Sequence, residues 1–136
     1  MEIKALVIGV VEKDGRILMR KKPDGSLPYK ETWYLFGGEV TPDSTPEDTI
    51  VREVKNKTGV SVRVSSKVSW GTEVKKDLDG KEKLFVYLDV ICEYIAGEAT
   101  LTEGIEKLEW AAKEQLSDYD IVPPSKKLFQ ELGYMK

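Results

Sequence analysis

The sequence predicts an α/β fold built mainly of strands, with two helices. Three observations carry this. Ile3 to Val11 is apolar on both faces, as a strand covered above and below must be. Two segments open with helix-start chemistry, Ser44-Thr45-Pro46-Glu47-Asp48 and Pro123-Pro124. Between and around them the order is hairpin, helix, long hairpin, strand, helix. A chain of 136 residues has room for one core, so residues 1–136 read as a single domain.

In chain order, Leu6, Ile8 and Val10 point to one side of the first strand and Ala5, Val7 and Val11 to the other, which makes it central. Asp14-Gly15 supplies hairpin-turn chemistry, and Arg16 to Arg20 is the returning strand. Lys22 to Glu31 is punctuated by Pro and Gly and reads as a loop. Trp33 to Phe36 is a short apolar run that Gly37-Gly38 is expected to stop. The first helix begins near Pro46, carries Ile50, Val51 and Val54 as its apolar stripe, and ends at Gly59 in a left-handed conformation. Ser61–Glu73 and Lys83–Ile95 are long strands joined around Asp79-Gly80. In the second of them Leu84, Val86, Leu88, Val90, Cys92 and Tyr94 alternate onto one face. Cys92 therefore reads as a small core residue, and no histidine exists to activate it as a nucleophile. Lys107–Ala112 is a last strand and Pro124–Leu132 a last helix.

Composition narrows the function classes. The chain is 40% hydrophobic and 33% charged, which is ordinary for a folded globular protein. With 24 acidic against 21 basic side chains the formal charge is only −3, so no broad positive surface can release counterions from DNA or RNA. A nucleic-acid polymer is thus not an expected partner. No apolar run is long enough for a membrane span, no signal peptide is visible, and the single cysteine cannot form an internal disulfide. A cytoplasmic location is the expectation.

One stretch carries the chemistry. From Gly38 the chain places Ser44, Arg52-Glu53, Val54, Asn56-Lys57, Gly59 and Val60 at fixed intervals, after a lead-in of Trp33-Tyr34-Leu35-Phe36-Gly37-Gly38. This spacing resembles the box of the Nudix hydrolases, which reads Gly, five residues, Glu, seven residues, Arg-Glu, an aliphatic, any residue, Glu-Glu, any residue, Gly and an aliphatic. Here Ser44, Asn56 and Lys57 stand where that box has glutamates, and Phe36 stands where a proline is usual. The order of elements also resembles the family's α/β/α sandwich with a mixed β-sheet, over nearly the whole chain.

The resemblance implies cleavage of a phosphoanhydride in a small nucleoside diphosphate-linked ligand, with Mg2+ or Mn2+ held by box glutamates. It casts Glu53 and Arg52 as catalytic, Glu53 as a metal ligand with Glu103 and Glu106 as outside candidates, and Arg20 and Gly38 as substrate-binding. Homodimers are common in the family, so a homodimer is a further expectation. Glu53, Asn56 and Lys57 are one helical turn apart and converge on one side. Magnesium needs hard oxygen ligands, yet this turn offers an anion, an amide and a cation. A unit charge about 4 Å from a divalent ion is worth about 8 kcal/mol at an effective dielectric near 20, so an ammonium there opposes the metal strongly.

Three readings follow from that turn. The first is a hydrolase with a divergent metal site. The second is a non-catalytic nucleotide-binding module, needing no metal, in which Lys57 supplies positive charge to a diphosphate. The third treats Glu53 and Lys57 as an ordinary i, i+4 surface pair worth about 0.3–0.5 kcal/mol. Lys21 and Lys22 are further phosphate-binding candidates, Trp33, Tyr34 and Tyr119 are candidates for stacking on a base, and Lys126 lies near the expected base site.

Overall fold

The structure, a computed structural model, describes residues 1–23, 29–102 and 104–136. Strands β1 (Glu2–Lys13) and β2 (Arg16–Lys21) form the first hairpin. Two short strands follow, β3 (Trp33–Tyr34) and β4 (Phe36–Glu39), then helix α1 (Pro46–Thr58). The long hairpin is β5 (Ser61–Lys76) with β6 (Glu82–Ala96). Strand β7 (Lys107–Ala112), a 3-10 helix (Lys113–Asp118) and helix α2 (Pro123–Glu131) complete the order.

The sheet runs β3-β2-β1-β6-β5, with β4 also on β1 and β7 also on β2. β1 pairs parallel with β6 over eleven residues' length from Glu2↔Lys83 to Glu12↔Glu93, and the other ladders are antiparallel, so the sheet is mixed as expected. The double-sided apolar pattern of β1 is used as read. Val7 and Val11 pack under α1 with Phe36, Ile50, Val54 and Cys92, while Val10 packs on the other face with Met19, Trp33, Leu128 and Phe129 of the α2 layer. Helix, sheet and helix make the α/β/α sandwich.

Two local details differ from the sequence expectation. The apolar run 33–36 is two strands rather than one, and Gly37-Gly38 does not stop it: β4 continues through both glycines, paired as Ile8↔Gly37 and Val7↔Gly38. Extended backbone without side chains lets β4 lie close under α1. The 3-10 helix at Lys113–Asp118 was not anticipated, because it lacks any cap or apolar period of its own and is held through buried Leu116.

Candidate functional site

Helix α1 is anchored at both ends by the residues that signalled it. Thr45 is the N-cap, its hydroxyl accepting from the Asp48 N–H at 3.1 Å, and Pro46 occupies the first turn. Gly59 ends the helix with φ 83°, where its N–H reaches the Lys55 carbonyl. Burial of Ile50 and Val54 against the sheet fixes the rotation of the helix and turns Glu53 toward β4.

There the absence of a side chain at Gly38 matters. A Cβ on Gly38 would lie 2.8 Å from Glu53 Cγ and 2.9 Å from Thr49 Cγ2, so the Glu53 stem rests directly on the glycine backbone. Thr49 is itself fixed, its hydroxyl donating to the Thr45 carbonyl at 2.8 Å and lying 3.1 Å from the Ser44 hydroxyl. Ser44 thus serves the helix start.

Arg20, paired across β2 and β3 with Tyr34, faces the same region. Its Nε donates to the Leu35 carbonyl at 3.1 Å, and its guanidinium sits 5.2 Å from the Phe36 ring and 6.0 Å from the Tyr34 ring. Burial depresses its pKa, while the charges of Glu53 and then Tyr34 push it back up. Lys22 lies over the Tyr34 ring at 4.4 Å. Its pKa is lowered first by burial and then by Arg20, Lys57 and Lys75, a sign that these four cations share one neighbourhood.

Beside them opens a cleft of about 180 Å³ lined by Arg20, Tyr29, Tyr34, Gly37, Lys75 and Tyr87, among others. Lys75 donates to the Tyr29 hydroxyl at 2.9 Å and stands 3.5 Å from Glu73, which also accepts from Tyr87 at 2.8 Å. The Tyr34 hydroxyl is buried and has no hydrogen-bond partner among the described residues, an arrangement that costs about 1–3 kcal/mol unless a ligand satisfies it.

The other sequence candidates fall as follows. Asn56 and Lys57 are exposed on the turn after Glu53, and no ion pair joins Glu53 to Lys57, so the simple surface pair is not formed. Arg52 is exposed and makes no side-chain hydrogen bond or ion pair among the described residues. Glu106 is engaged by Lys21 at 2.7 Å, which holds its carboxyl below the ordinary value, and its N–H donates to the Lys21 carbonyl. Glu103 lies outside the described residues. Trp33 and Tyr119 meet edge to face at 4.9 Å, so their rings serve each other in the α2-side core. Lys126 is exposed on α2.

Lys75, Tyr29 and Tyr87 were missed. The available signal was the alternation of β5, which puts Glu73 and Lys75 on the face opposite Trp70 and Val74.

No three His, Cys, Asp or Glu side chains converge among the described residues. One carboxylate, one amide and one ammonium on the α1 turn do not match the oxygen donors a resident magnesium ion requires. No helix among the described residues is long and apolar enough to cross a membrane.

The NUDIX domain profile matches residues 2–132. The nucleoside triphosphatase NudI of Escherichia fergusonii is 26% identical over 99% of this chain and 100% of its own length, and that of Enterobacter sp. 23% over the same shares. Among solved structures, the MutT NUDIX hydrolase of Burkholderia pseudomallei superposes with a TM-score of 0.74 at 20% identity, covering 100% of both chains. The E. coli ORF135 protein does so at 0.72 and 23%, covering 98% of this chain and 90% of its own. With the family profile spanning almost every residue and the same fold in these structures, the chain belongs to the NUDIX domain family.

Proposed function

We propose that the cleft binds the phosphate chain of a nucleotide derivative and that the chain is a NUDIX hydrolase whose phosphoanhydride cleavage is weakened. The carrying observation is that Glu53, seated on Gly38, acts electrostatically on Arg20, which lines the cleft together with Lys75. The relatives named nucleoside triphosphatase support a substrate with a terminal phosphoanhydride, and nucleoside diphosphate-linked compounds share that chemistry.

In this reading Arg20 keeps its Nη donors for phosphate oxygens, since among the described residues its hydrogen bond is made by Nε to Leu35. Lys57, exposed and without an ion pair among the described residues, adds positive charge from the helix side. Gly38 lets the Glu53 stem rest directly on the β4 backbone. Hydrolysis adds water across the P–O–P bridge and releases two phosphate-bearing fragments. Charge on the departing oxygens is met by Arg20 and the lysines, and Glu53 is the α1 carboxylate that orients the water. Arg52, exposed and without a side-chain partner among the described residues, takes no part in this step. Asn56 and Lys57 in place of carboxylates are what weaken the reaction.

The cations favour a second reading, a nucleotide-binding module without turnover. Both are tested by assaying phosphate release from nucleoside triphosphates, ADP-ribose, nucleotide sugars and dinucleoside polyphosphates with Mg2+ or Mn2+, alongside ADP affinity in EDTA. Turnover abolished by Glu53→Gln establishes the hydrolase. Affinity without turnover, reduced by Lys57→Ala, establishes the module. Neither turnover nor affinity across the panel ends both readings.

A further inference from the structure

A second cavity, also about 180 Å³, lies between the β5–β6 hairpin and α2, and its lining includes Trp70, Gly71, Asp89, Ser125, Lys127 and Leu128. It shares Ile8, Tyr87, Pro124 and Ser125 with the phosphate cleft, so the two adjoin. Register fixes their separation. Gly37 of β4 and Asp89 of β6 are both Cα partners of Ile8, one on each side of β1. Asp89 therefore sits two strand spacings, about 10 Å, from the glycine pair. That matches the reach of a mononucleotide from its phosphates to its base.

Asp89 is an unusual occupant of the central sheet. It is only 9% exposed, and a strand position covered by α2 normally carries an aliphatic. One carboxyl oxygen, Oδ2, accepts from the Ser69 hydroxyl at 3.0 Å. No Lys or Arg forms an ion pair with it among the described residues. Burial raises its pKa, Ser69 opposes this, and Glu131 on α2 adds to the rise. A carboxyl kept in such surroundings without a cation is costly unless N–H donors arrive with a ligand.

We propose that Asp89 is a specificity-determining residue that accepts a hydrogen bond from the exocyclic amino group of the substrate's nucleobase, seated in this cavity. The inference rests on the nucleotide reading above. It selects adenine and cytosine over their deaminated counterparts, because a carbonyl oxygen in place of the amino group would face the Asp89 oxygens with no donor between them.

The test is calorimetric titration of the whole chain in EDTA with ATP against ITP and CTP against UTP. The expected result is a preference of about tenfold or more for the amino-bearing member of each pair. Asp89→Asn, checked for native circular dichroism, should bring the ratio to near one or invert it, since an amide can donate to the carbonyl. Ser69→Ala is a second, milder variant that releases Oδ2 and should shrink the preference. Equal affinity within both pairs, or a preference untouched by Asp89→Asn and Ser69→Ala, overturns the assignment of Asp89 while leaving the nucleotide reading in place. Absence of binding by all four overturns both.

Discussion

Replacing Gly38 with alanine tests whether the Glu53 turn is seated as described. The new methyl would sit 2.8 Å from Glu53 Cγ and 2.9 Å from Thr49 Cγ2, well inside contact distance. Glu53 can swing its stem aside, but Thr49 cannot yield without losing its bonds to the Thr45 carbonyl and the Ser44 hydroxyl. Val7↔Gly38 pairing prevents β4 from retreating. Overpacking of this kind costs about 1–3 kcal/mol. For a chain of this size that lowers Tm by about 4–12 °C, read by thermal unfolding in circular dichroism. Because part of the collision is with Glu53 itself, Gly38→Ala should be less damaging in a Glu53→Ala background. ADP affinity should fall along with stability in the single variant, as the displaced carboxylate intrudes on the cleft. An unchanged Tm, or equal losses in both backgrounds, would refute the close seating of Glu53 on β4.

Two further outcomes follow from groups away from the cleft. Asp77 accepts from Lys83 at 2.9 Å, Lys4 at 3.0 Å and the Leu78 N–H at 2.8 Å, which holds its carboxyl well below the ordinary 3.8. A depressed acid stabilises the fold above its unfolded value and loses that contribution as pH falls through the folded one. Asp77→Asn should therefore destabilise the β5–β6 end at pH 7, with the difference from the parent shrinking below about pH 4 in denaturant titrations. A difference that grows in acid would contradict the ion-pair account. Burial pushes the Cys92 thiol up to about 12, so it should resist a thiol-specific reagent at pH 8 in the native state and react on unfolding in guanidinium. Rapid native-state reaction would mean that the α1 layer opens far more readily than its packing implies.

Much of this architecture was visible in residue order alone. Double-sided β1, the alternating stripe ending at Cys92 and Tyr94, and the Thr45 and Gly59 helix ends are local patterns, and local patterns survive into the fold. β4 was hidden because glycines signal turns when read alone, whereas here they answer to a helix packed against them. Gly38 stood out through its place in a known motif, and Arg20 as a basic residue at the end of a strand, where the family resemblance implies phosphate contacts. The cation neighbourhood of Lys22, Lys57 and Lys75 was not, since it joins β2, α1 and β5 only after the sheet forms. Asp89 could have been noticed as a charge between Leu88 and Val90, but its position opposite Gly37 depends on the parallel β1–β6 register, which no local pattern specifies.

The central claim is that the α1 turn faces a phosphate cleft and lacks only the anions needed to hold a divalent ion. Titrating Mn2+ into the parent and into the Asn56→Glu, Lys57→Glu double variant, followed by electron paramagnetic resonance, measures this directly. The account predicts weak binding by the parent and a gain of about tenfold or more in the variant, since even after screening each exchanged charge is worth several kcal/mol. Equal affinity in the two proteins, or tight binding by the parent, would contradict it.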